Sequence, residues 1–598
     1  MGYGKEARVR EILSDAIARA IVARYVPEVT NSPVIEHMGF LPIRAVVEHD
    51  SAAPSDPAEL ERMWYELSVL EGSPPSHAET PFIAPALDYE TDDVPRSSAR
   101  IRVVGLAEQW GVTELTIAGP SHGNPFVDVE LSAEFTSEAD RHISVGGFYD
   151  GEGTYRIRFQ APSAGTWTYV TTSTARSLDG LRGAFQIGPP GPGNHGPVEV
   201  ADRFHFAYRD GTRFLPFGTT AYAWTHQPAA LQERTLATLA GSPFRKLRMC
   251  VFPKSYLFNT NEPERYPFAR DSKGDWDFTH FDPQFFRHLE TRIDQLAELG
   301  IQTDLILFHP YDRWGFSAMP KTADDRYVQY LVRRLGAHRS VWWAMANEYD
   351  LLPSKTTEDW ERLAGVVRTN DHVGHLTSIH NCHGFYHHAR PWITHCSIQR
   401  IDAYRTSENT SEWREKYSKP VVIDECGYEG DLDQGWGNIS GQELVRRFWE
   451  GAVRGGYVGH GETYLNEREE LWWSKGGALV GDSAERIGFL LQITADAPGG
   501  ALEPLPSDWD VRWGGTEDYR IAYFGFGRPR YRDITTPPES QWLVDVIDTW
   551  NMTIERQPGI FTGTFRIDLP AREFMAVRLI ASRDGQLEPQ ATRGSDDG

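Results

Sequence analysis

The sequence predicts a (β/α)8 TIM barrel, an α/β fold, flanked by an N-terminal β-sandwich and a C-terminal β domain, with a small helical segment in front. Three observations predict it. Between about 199 and 500, eight apolar strand-like runs alternate with helical stretches or short turns. Residues 99–188 instead carry short alternating or β-branched runs, punctuated by Gly, Pro and Asp about every 8–12 residues. Residues 501–582 return to that pattern of period two.

The barrel strands are expected at Phe214–Thr219, Phe244–Val251, Thr303–Phe308, Val341–Ala346, His375–His380, Ile393–Ile398, Val421–Asp424 and Gly456–Gly459. Helices are expected at Ala230–Ala240, Pro283–Leu299, Arg326–Leu335, Glu358–Arg368, Glu408–Lys416, Gly441–Arg454 and Ser483–Thr494. The clearest is Pro283–Leu299. Asp282 stands at its N-cap, Pro283 in its first turn and Gly300 at its stop, with Phe286, Leu289, Ile293 and Leu296 on one face. A doubly wound sheet would also alternate, but its first strand usually runs into a glycine-rich phosphate loop. Here that strand runs into FGTTAYAW at 217–224, with neither GxGxxG nor a Walker motif.

Sandwich strands are expected at ARIRVVG, TELTIAG, VDVELSAEF, RHISVGGFYDG, TYRIRFQAP, GTWTYVTTS and GAFQIG. C-terminal strands are expected at Tyr519–Phe524, Trp550–Glu555, Gly563–Leu569 and Glu573–Ile580. Ahead of the sandwich, helical spacing covers 6–25 and 58–70, with 33–47 irregular and apolar between them. Residues 71–98 are rich in Pro, Ser and Asp and read as a linker. The expected units are a helical segment with linker at 1–95, the sandwich at 96–198, the barrel at 199–500, the C-terminal β domain at 501–582 and a frayed polar tail at 583–598. The first is thin for an independent core and is expected to pack on something else.

Composition narrows the function. The 598 residues hold 60 Lys plus Arg against 84 Asp plus Glu, a net charge of −24. Such a chain repels phosphate backbones, which argues against nucleic-acid and anionic-membrane partners. Nineteen Trp stand beside 24 Tyr and 29 Phe, which suits aromatic-lined clefts for flat ligands or sugars. Four cysteines without CxxC spacing make no disulfide framework. No apolar signal region opens the chain and no run of about 18 apolar residues occurs, so a soluble, cytoplasmic protein is expected.

In a (β/α)8 barrel the active site lies at the C-terminal ends of the strands. Those ends offer Tyr222 and Trp224, then Arg248, then His309, Tyr311, Asp312 and Trp314, then Asn347 and Glu348. His380, Gln399, Glu425 and Glu462 follow on the later strands. Glu348 closes VWWAMAN and Glu425 closes PVVID. Two carboxyls about 5–5.5 Å apart are what a retaining glycosidase needs, one protonated to serve the leaving oxygen and one ionised to attack the anomeric carbon. Asn-Glu occurs three times, but only Asn347-Glu348 ends a clear apolar strand. Asp424, by strand alternation, is expected to point away from Glu425. His380, Cys382, His383, His387 and His388 have spacings that zinc can use. Yet HExxH is absent and the two-carboxylate mechanism needs no metal, so no metal and no cofactor are expected.

These residues resemble the clan of glycoside hydrolases with catalytic glutamates on strands 4 and 7, which includes cellulases and β-galactosidases. More closely, most of 100–582 resembles bacterial glycoside hydrolases that join a DUF5060-type β-sandwich, an apiosidase-like barrel related to DUF4038 and a DUF5605-type C-terminal domain. The stretches that carry the resemblance include WGVTELTIAGPSHGNPFVDVELSAEF, FGTTAYAWTHQP, FRKLRMCVFPK, DLILFHPYDRWGF, VWWAMANEYD, SIHNC, PVVIDECGYEG and GGYVGHGETY. The resemblance implies Glu348 as acid/base, Glu425 as nucleophile, Arg248 as support for the nucleophile and Asn347 as donor to a substrate hydroxyl. Tyr222, His309, Asp312, His380 and Glu462 would bind sugar hydroxyls, and Trp224, Trp314, Trp472 and Trp473 would supply stacking walls. The expected function is a retaining, exo-acting glycoside hydrolase on an oligosaccharide or glycoside. The exo expectation rests on the aromatic segment 253–280 and the loop 427–439, which can wall one side of the site. The alternatives are a catalytically silent carbohydrate-binding barrel protein and a transglycosylase on the same fold. The expected partner is a carbohydrate substrate; the oligomeric state stays open, and a homo-oligomer is compatible.

Overall fold

The computed structural model describes residues 3–31, 35, 38, 39, 41–49, 57–70, 84–105 and 107–582. Eight parallel strands form the barrel in the order expected from chain alternation. They are Gly218–Thr220, Lys246–Cys250, Gln302–Phe308, Val341–Ala346, Thr377–Ser378, Cys396–Gln399, Val421–Glu425 and Tyr457–His460, numbered 1 to 8 below. Strand 8 pairs with strand 1, and a parallel bridge between His380 and Ser397 joins strands 5 and 6 to close the ring. Every residue of strands 3 and 4 is buried, as parallel strands covered on both faces require. Helices Ala229–Ala240, Pro283–Glu298, Lys321–Leu335, Thr357–Asn370, Thr410–Tyr417, Gly441–Ala452 and Ser483–Ala495 lie in the expected places. In Pro283–Glu298 the Asp282 carboxylate accepts from Gln284 N, and Phe285, Phe286, Leu289, Ile293 and Leu296 are buried.

Strand 1 is shorter than its apolar run. Phe214 belongs to a separate three-stranded sheet, in the order 213–214, 205–208, 198–201. Phe206 of this sheet packs against Trp342 of strand 4 with centroids 5.4 Å apart.

The sandwich consists of two four-stranded antiparallel sheets, one of 100–105, 112–118, 154–160 and 148–149, the other of 142–146, 131–137, 165–173 and 182–187. The run VDVELSAEF is not one strand, because Pro125 starts a short helix, Pro125–Asp128, and pairing begins at Leu131. In the C-terminal domain a six-stranded sheet and a two-stranded one share a buried core, in which Ile534 and Ile567 join Ala522, Val544 and Val577. The expected strand Trp550–Glu555 is corrected to Trp542–Asp548 and Thr553–Arg556. Between them the Asp548 carboxylate accepts from Trp550 N and Asn551 N, and Met552 takes φ +55°, so Trp550 sits in a turn.

The N-terminal segment has a core of its own, with Val9, Ile12, Ile21, Val22, Met63, Trp64 and Leu67 among its buried residues. The stretch 33–47 is not wholly irregular, since Ile43–His49 is helical. Of the expected linker, 71–83 lies outside the described residues, as does the tail 583–598. The part from 84 to 98 is tied to the sandwich, where Glu90 accepts from Ser177 N at 2.7 Å and Arg176 donates to Val94 O at 3.0 Å. Among the described residues no helix is long and apolar enough to cross a membrane.

Sandwich and barrel meet through buried charge. Arg158 on the sandwich donates to Glu290 of helix Pro283–Glu298 at 2.6 Å, and Arg334 of helix Lys321–Leu335 binds the same carboxylate. Arg334 also pairs with sandwich residue Asp150 at 2.8 Å and is wholly buried. Buried ion pairs add little over an apolar contact of the same shape, but breaking one strands its partner. Glu290→Ala would leave two buried guanidiniums short of an anion. It is predicted to cost about 3–5 kcal/mol in denaturant unfolding, and an unchanged midpoint would show that the interface does not depend on this carboxylate.

Candidate active site

The C-terminal mouth of the barrel holds a cavity of about 240 Å³ with Glu348 and Glu425 among its lining residues. Strand 4 delivers the first of them. Asn347 N donates to Phe308 O at 2.9 Å and Tyr349 N to His380 O at 2.9 Å, so strands 3 and 5 hold the chain on either side of Glu348. Glu348 itself has φ +51°, a left-handed conformation that non-glycine residues rarely adopt. Strain of this kind persists where surrounding contacts over-determine the backbone.

The Glu425 carboxylate accepts from the Tyr222 hydroxyl and, at 3.2 Å, from Arg248 Nη1. The same Nη1 donates to Asn347 Oδ1 at 2.7 Å and to the Tyr222 hydroxyl at 2.9 Å. Asn347 passes the contact on, donating from Nδ2 to Glu348 Oε2 at 3.0 Å, and the Tyr311 hydroxyl donates to that same oxygen. With its amide nitrogen turned to the carboxyls, Gln399 donates to Glu425 Oε2 and Glu348 Oε1, both at 3.2 Å. Two oxygens that share one atom at 3.2 Å are separated by no more than twice that distance, 6.4 Å.

The two carboxyls have unequal surroundings. Burial, and then the nearby Glu425 carboxylate, push the Glu348 pKa up to about 7. Glu425 has a guanidinium and a phenol donating to it. Lys254 is buried beside them, its Nζ over the rings of Tyr222 at 3.8 Å, Tyr311 at 4.2 Å and Trp473 at 4.3 Å, and burial lowers its pKa to about 8. One layer deeper, Lys246 Nζ binds Asp304 at 2.7 Å and Asp424 at 2.6 Å. Asp424 is therefore a barrel-interior residue, contrary to strand alternation. The register shifts between Ser397 and Gln399, which places Gln399 opposite Glu425.

Arg248, Tyr222, Asn347, Glu348 and Glu425 come together as a single hydrogen-bonded group. His380 stands behind it, with Nδ1 at 3.4 Å from Glu348 N and Nε2 at 3.8 Å from Glu425 Oε1. Burial pushes its pKa well down, so the ring is neutral. The other candidates stand apart from this group, each with contacts of its own. Trp224 is wholly buried in the apolar core and donates to Met249 Sδ. His309 is buried against Phe252 O at 3.1 Å. Asp312 folds its own loop, accepting from Trp314 N, Gly315 N and Ser317 N. Trp314 donates to Glu262 on the outer surface at 2.9 Å. Glu462 accepts from Val480 N and Gly481 N. None of these five lines the cavity or joins the hydrogen-bonded group.

Of the tryptophans, Trp473 lines the cavity and Trp472 donates to Thr219 in the core. The cavity is also lined by Tyr256, Tyr311, Gln399, Tyr428 and Trp436, which stand outside the expected substrate set. Tyr311 and Gln399 are among the residues that the strand ends offered; the others come from loops. Among the described residues, the group with potential ligand atoms within 4.8 Å of one another is Glu429, His460 and Glu462, not the 380–388 cluster. Its Glu429 carboxylate is already occupied by Asp482 N, Ser483 N, the Ser483 hydroxyl and the Tyr464 hydroxyl, at the start of helix Ser483–Ala495.

A parallel barrel with a cavity and two facing carboxyls at its mouth has the architecture of the barrel glycoside hydrolases. The comparisons with known proteins agree. Residues 201–475 match the family model of the apiosidase-like catalytic domain, and 106–174 and 509–580 match the DUF5060 and DUF5605 domains of unknown function. The chain is 40% identical to a putative glycoside hydrolase from Bacteroides vulgatus, over 79% of this chain and 99% of that one, with a TM-score of 0.76. It belongs to that family and is a glycoside hydrolase. A family 5 glycoside hydrolase from the same organism shares the fold at 14% identity and a TM-score of 0.51, covering 65% of this chain and 94% of that one. Curated proteins give no match.

The raised pKa of Glu348 has a consequence for stability. Between the ordinary carboxyl pKa and about 7 the folded chain keeps a proton that the unfolded chain has lost. Stability conferred by that proton is full at low pH and declines as pH rises through about 7. Unfolding of wild type against Glu348→Gln is predicted to diverge over this window, the wild type losing up to about 1.4 kcal/mol per pH unit relative to the variant. Parallel curves would mean that Glu348 titrates normally.

Proposed function

We propose that the chain is a retaining, exo-acting glycoside hydrolase that works by double displacement, with Glu425 as nucleophile and Glu348 as acid/base. The observation that carries this reading is the unequal pair, one carboxyl neutral by burial and the other bonded to Arg248 and Tyr222, with facing oxygens no more than 6.4 Å apart. In the first step Glu425 bonds to the anomeric carbon as the glycosidic C–O bond breaks, and the Glu348 proton passes to the leaving oxygen. Formation of the ester removes the Glu425 charge, so the Glu348 pKa falls and the carboxylate becomes a base. It then takes a proton from water as the water oxygen bonds to the anomeric carbon and the ester bond breaks. Arg248 orients Asn347 through Oδ1, leaving Nδ2 to reach the neighbouring substrate hydroxyl. The exo reading is supported by the small cavity volume and by Tyr256, Tyr428 and Trp436, which come from the two segments expected to wall one side.

Azide separates the two roles. Glu425→Ala is predicted to lose turnover by several orders of magnitude, and azide to restore part of it with a product of inverted configuration. Glu348→Ala should lose activity mainly on glycosides with poor leaving groups, because an activated leaving group needs little protonation. Azide should then give a glycosyl azide of retained configuration. NMR of the products reads the outcome: exchanged stereochemistries would swap the roles, and full activity in either variant would remove that residue from the mechanism. The kcat/KM profile of the wild type should fall as pH rises through about 7, where the acid loses its proton.

A further inference from the structure

The cavity at the barrel mouth is not built by the barrel alone. Met38, Leu41 and Ala45, from the N-terminal helical segment, line it together with Glu348 and Glu425. The family models that match the chain begin at 106, so none of them includes these three residues. The segment grips one side of the mouth. Arg10 Nη1 donates to Asp312 O at 3.1 Å and the buried Arg8 donates to Ser317 Oγ at 3.3 Å, both in the loop after strand 3. That loop also carries Tyr311, which donates to Glu348.

The lining changes character with depth. The buried residues include both carboxyls, Tyr428 and Trp473. One side of the more open lining is aliphatic, with Met38 and Leu41 half-buried and Ile401 45% exposed, while exposed His383 and the half-buried rings of Tyr256, Tyr311 and Trp436 line the rest. Buried Leu351, three residues beyond Glu348, and buried Ala45 extend this aliphatic side inward. None of the five offers a side-chain hydrogen bond. A second sugar against them would bury hydroxyls without partners, which is unfavourable, whereas an apolar group there leaves water at a gain.

We propose that the N-terminal helical segment is a cap that forms the apolar outer wall of the leaving-group subsite, and that the preferred substrates are glycosides of apolar non-sugar alcohols such as phenols. The assignment to the leaving-group side rests on the proposed role of Glu348, since the acid stands beside the oxygen it protonates. Met38, Leu41 and Ala45 are then specificity-determining residues that act on the aglycone and leave the chemistry at the anomeric carbon untouched.

Two measurements on the full chain test this. The first is binding of 4-propylphenol, followed by tryptophan fluorescence, because Trp436 and Trp473 line the same cavity. Saturable binding is expected in the wild type, weakened at least tenfold by Leu41→Asp and by Met38→Asp, and recovered in Leu41→Met. Circular dichroism of each variant checks that the segment stays helical. The second compares kcat/KM for a propylphenyl glycoside and for a disaccharide with the same glycone. Leu41→Asp should lower the first about tenfold and change the second less than twofold. Phenol binding that is absent, or indifferent to both aspartates, overturns the wall while leaving the hydrolase reading intact. Equal losses on both substrates overturn it as well. Phenol binding that responds to the variants in a chain that cleaves no glycoside would support the wall and contradict the catalytic reading.

Discussion

One guanidinium organises the mouth of this barrel. Arg248 is buried in the interior, and its Nη1 is shared by Tyr222, Asn347 and Glu425, which come from strands or loops 1, 4 and 7. A buried cation needs compensation at close range, and a buried carboxylate needs donors. Each requirement meets the other here. Lys246 repeats the arrangement one layer below with Asp304 and Asp424. The result is a column of alternating charge on strands 2, 3 and 7, which fixes their relative heights and so the height of Glu425. Burial holds the Asp304 and Asp424 layer out of the cavity, and in Asp424 the desolvation penalty is overcome by Lys246 and Arg248, keeping that carboxyl well below its usual pKa.

The same column explains why Glu348 can differ from Glu425. Both are buried, but only Glu425 touches Arg248. Glu348 receives neutral donors, Asn347 and Tyr311, and faces a carboxylate. Burial then decides its protonation state. In the proposed mechanism, two identical side chains a few ångströms apart are set to opposite tasks by which of them reaches the Arg248 guanidinium.

Much of this was legible in the chain. Parallel strands buried on both faces must be continuous apolar runs, and VWWAMAN and PVVID read as such, so the ends that carry Glu348 and Glu425 were fixed once the strands were counted. Arg248, Tyr222 and Asn347 followed from the same register. His309, Asp312, Trp314 and Glu462 did not separate by that criterion. A polar residue at a strand end serves a turn as readily as a ligand, and Asp312 is taken up by three backbone N–H groups of its own loop. Tyr256 and Trp436 reach the cavity from loops, where sequence spacing gives no direction to a side chain. Met38, Leu41 and Ala45 arrive from a separate packed unit, whose docking depends on contacts such as Arg10 to Asp312 that no local pattern announces. In the C-terminal domain the error at Trp550 had a similar origin, since an Asp548-capped turn interrupts a run that alternates on either side of it.

The account stands or falls on a bond between Glu425 and the sugar. The direct measurement is mass spectrometry of the wild type, quenched in acid during turnover of an activated 2-fluoro glycoside carrying the glycone it accepts. Fluorine slows release of the intermediate by destabilising positive charge at the anomeric carbon. The prediction is a chain heavier by one glycosyl group, with the added mass confined to the peptide that contains Glu425. A label on the Glu348 peptide, or turnover with no covalent species and an inverted product, would contradict it.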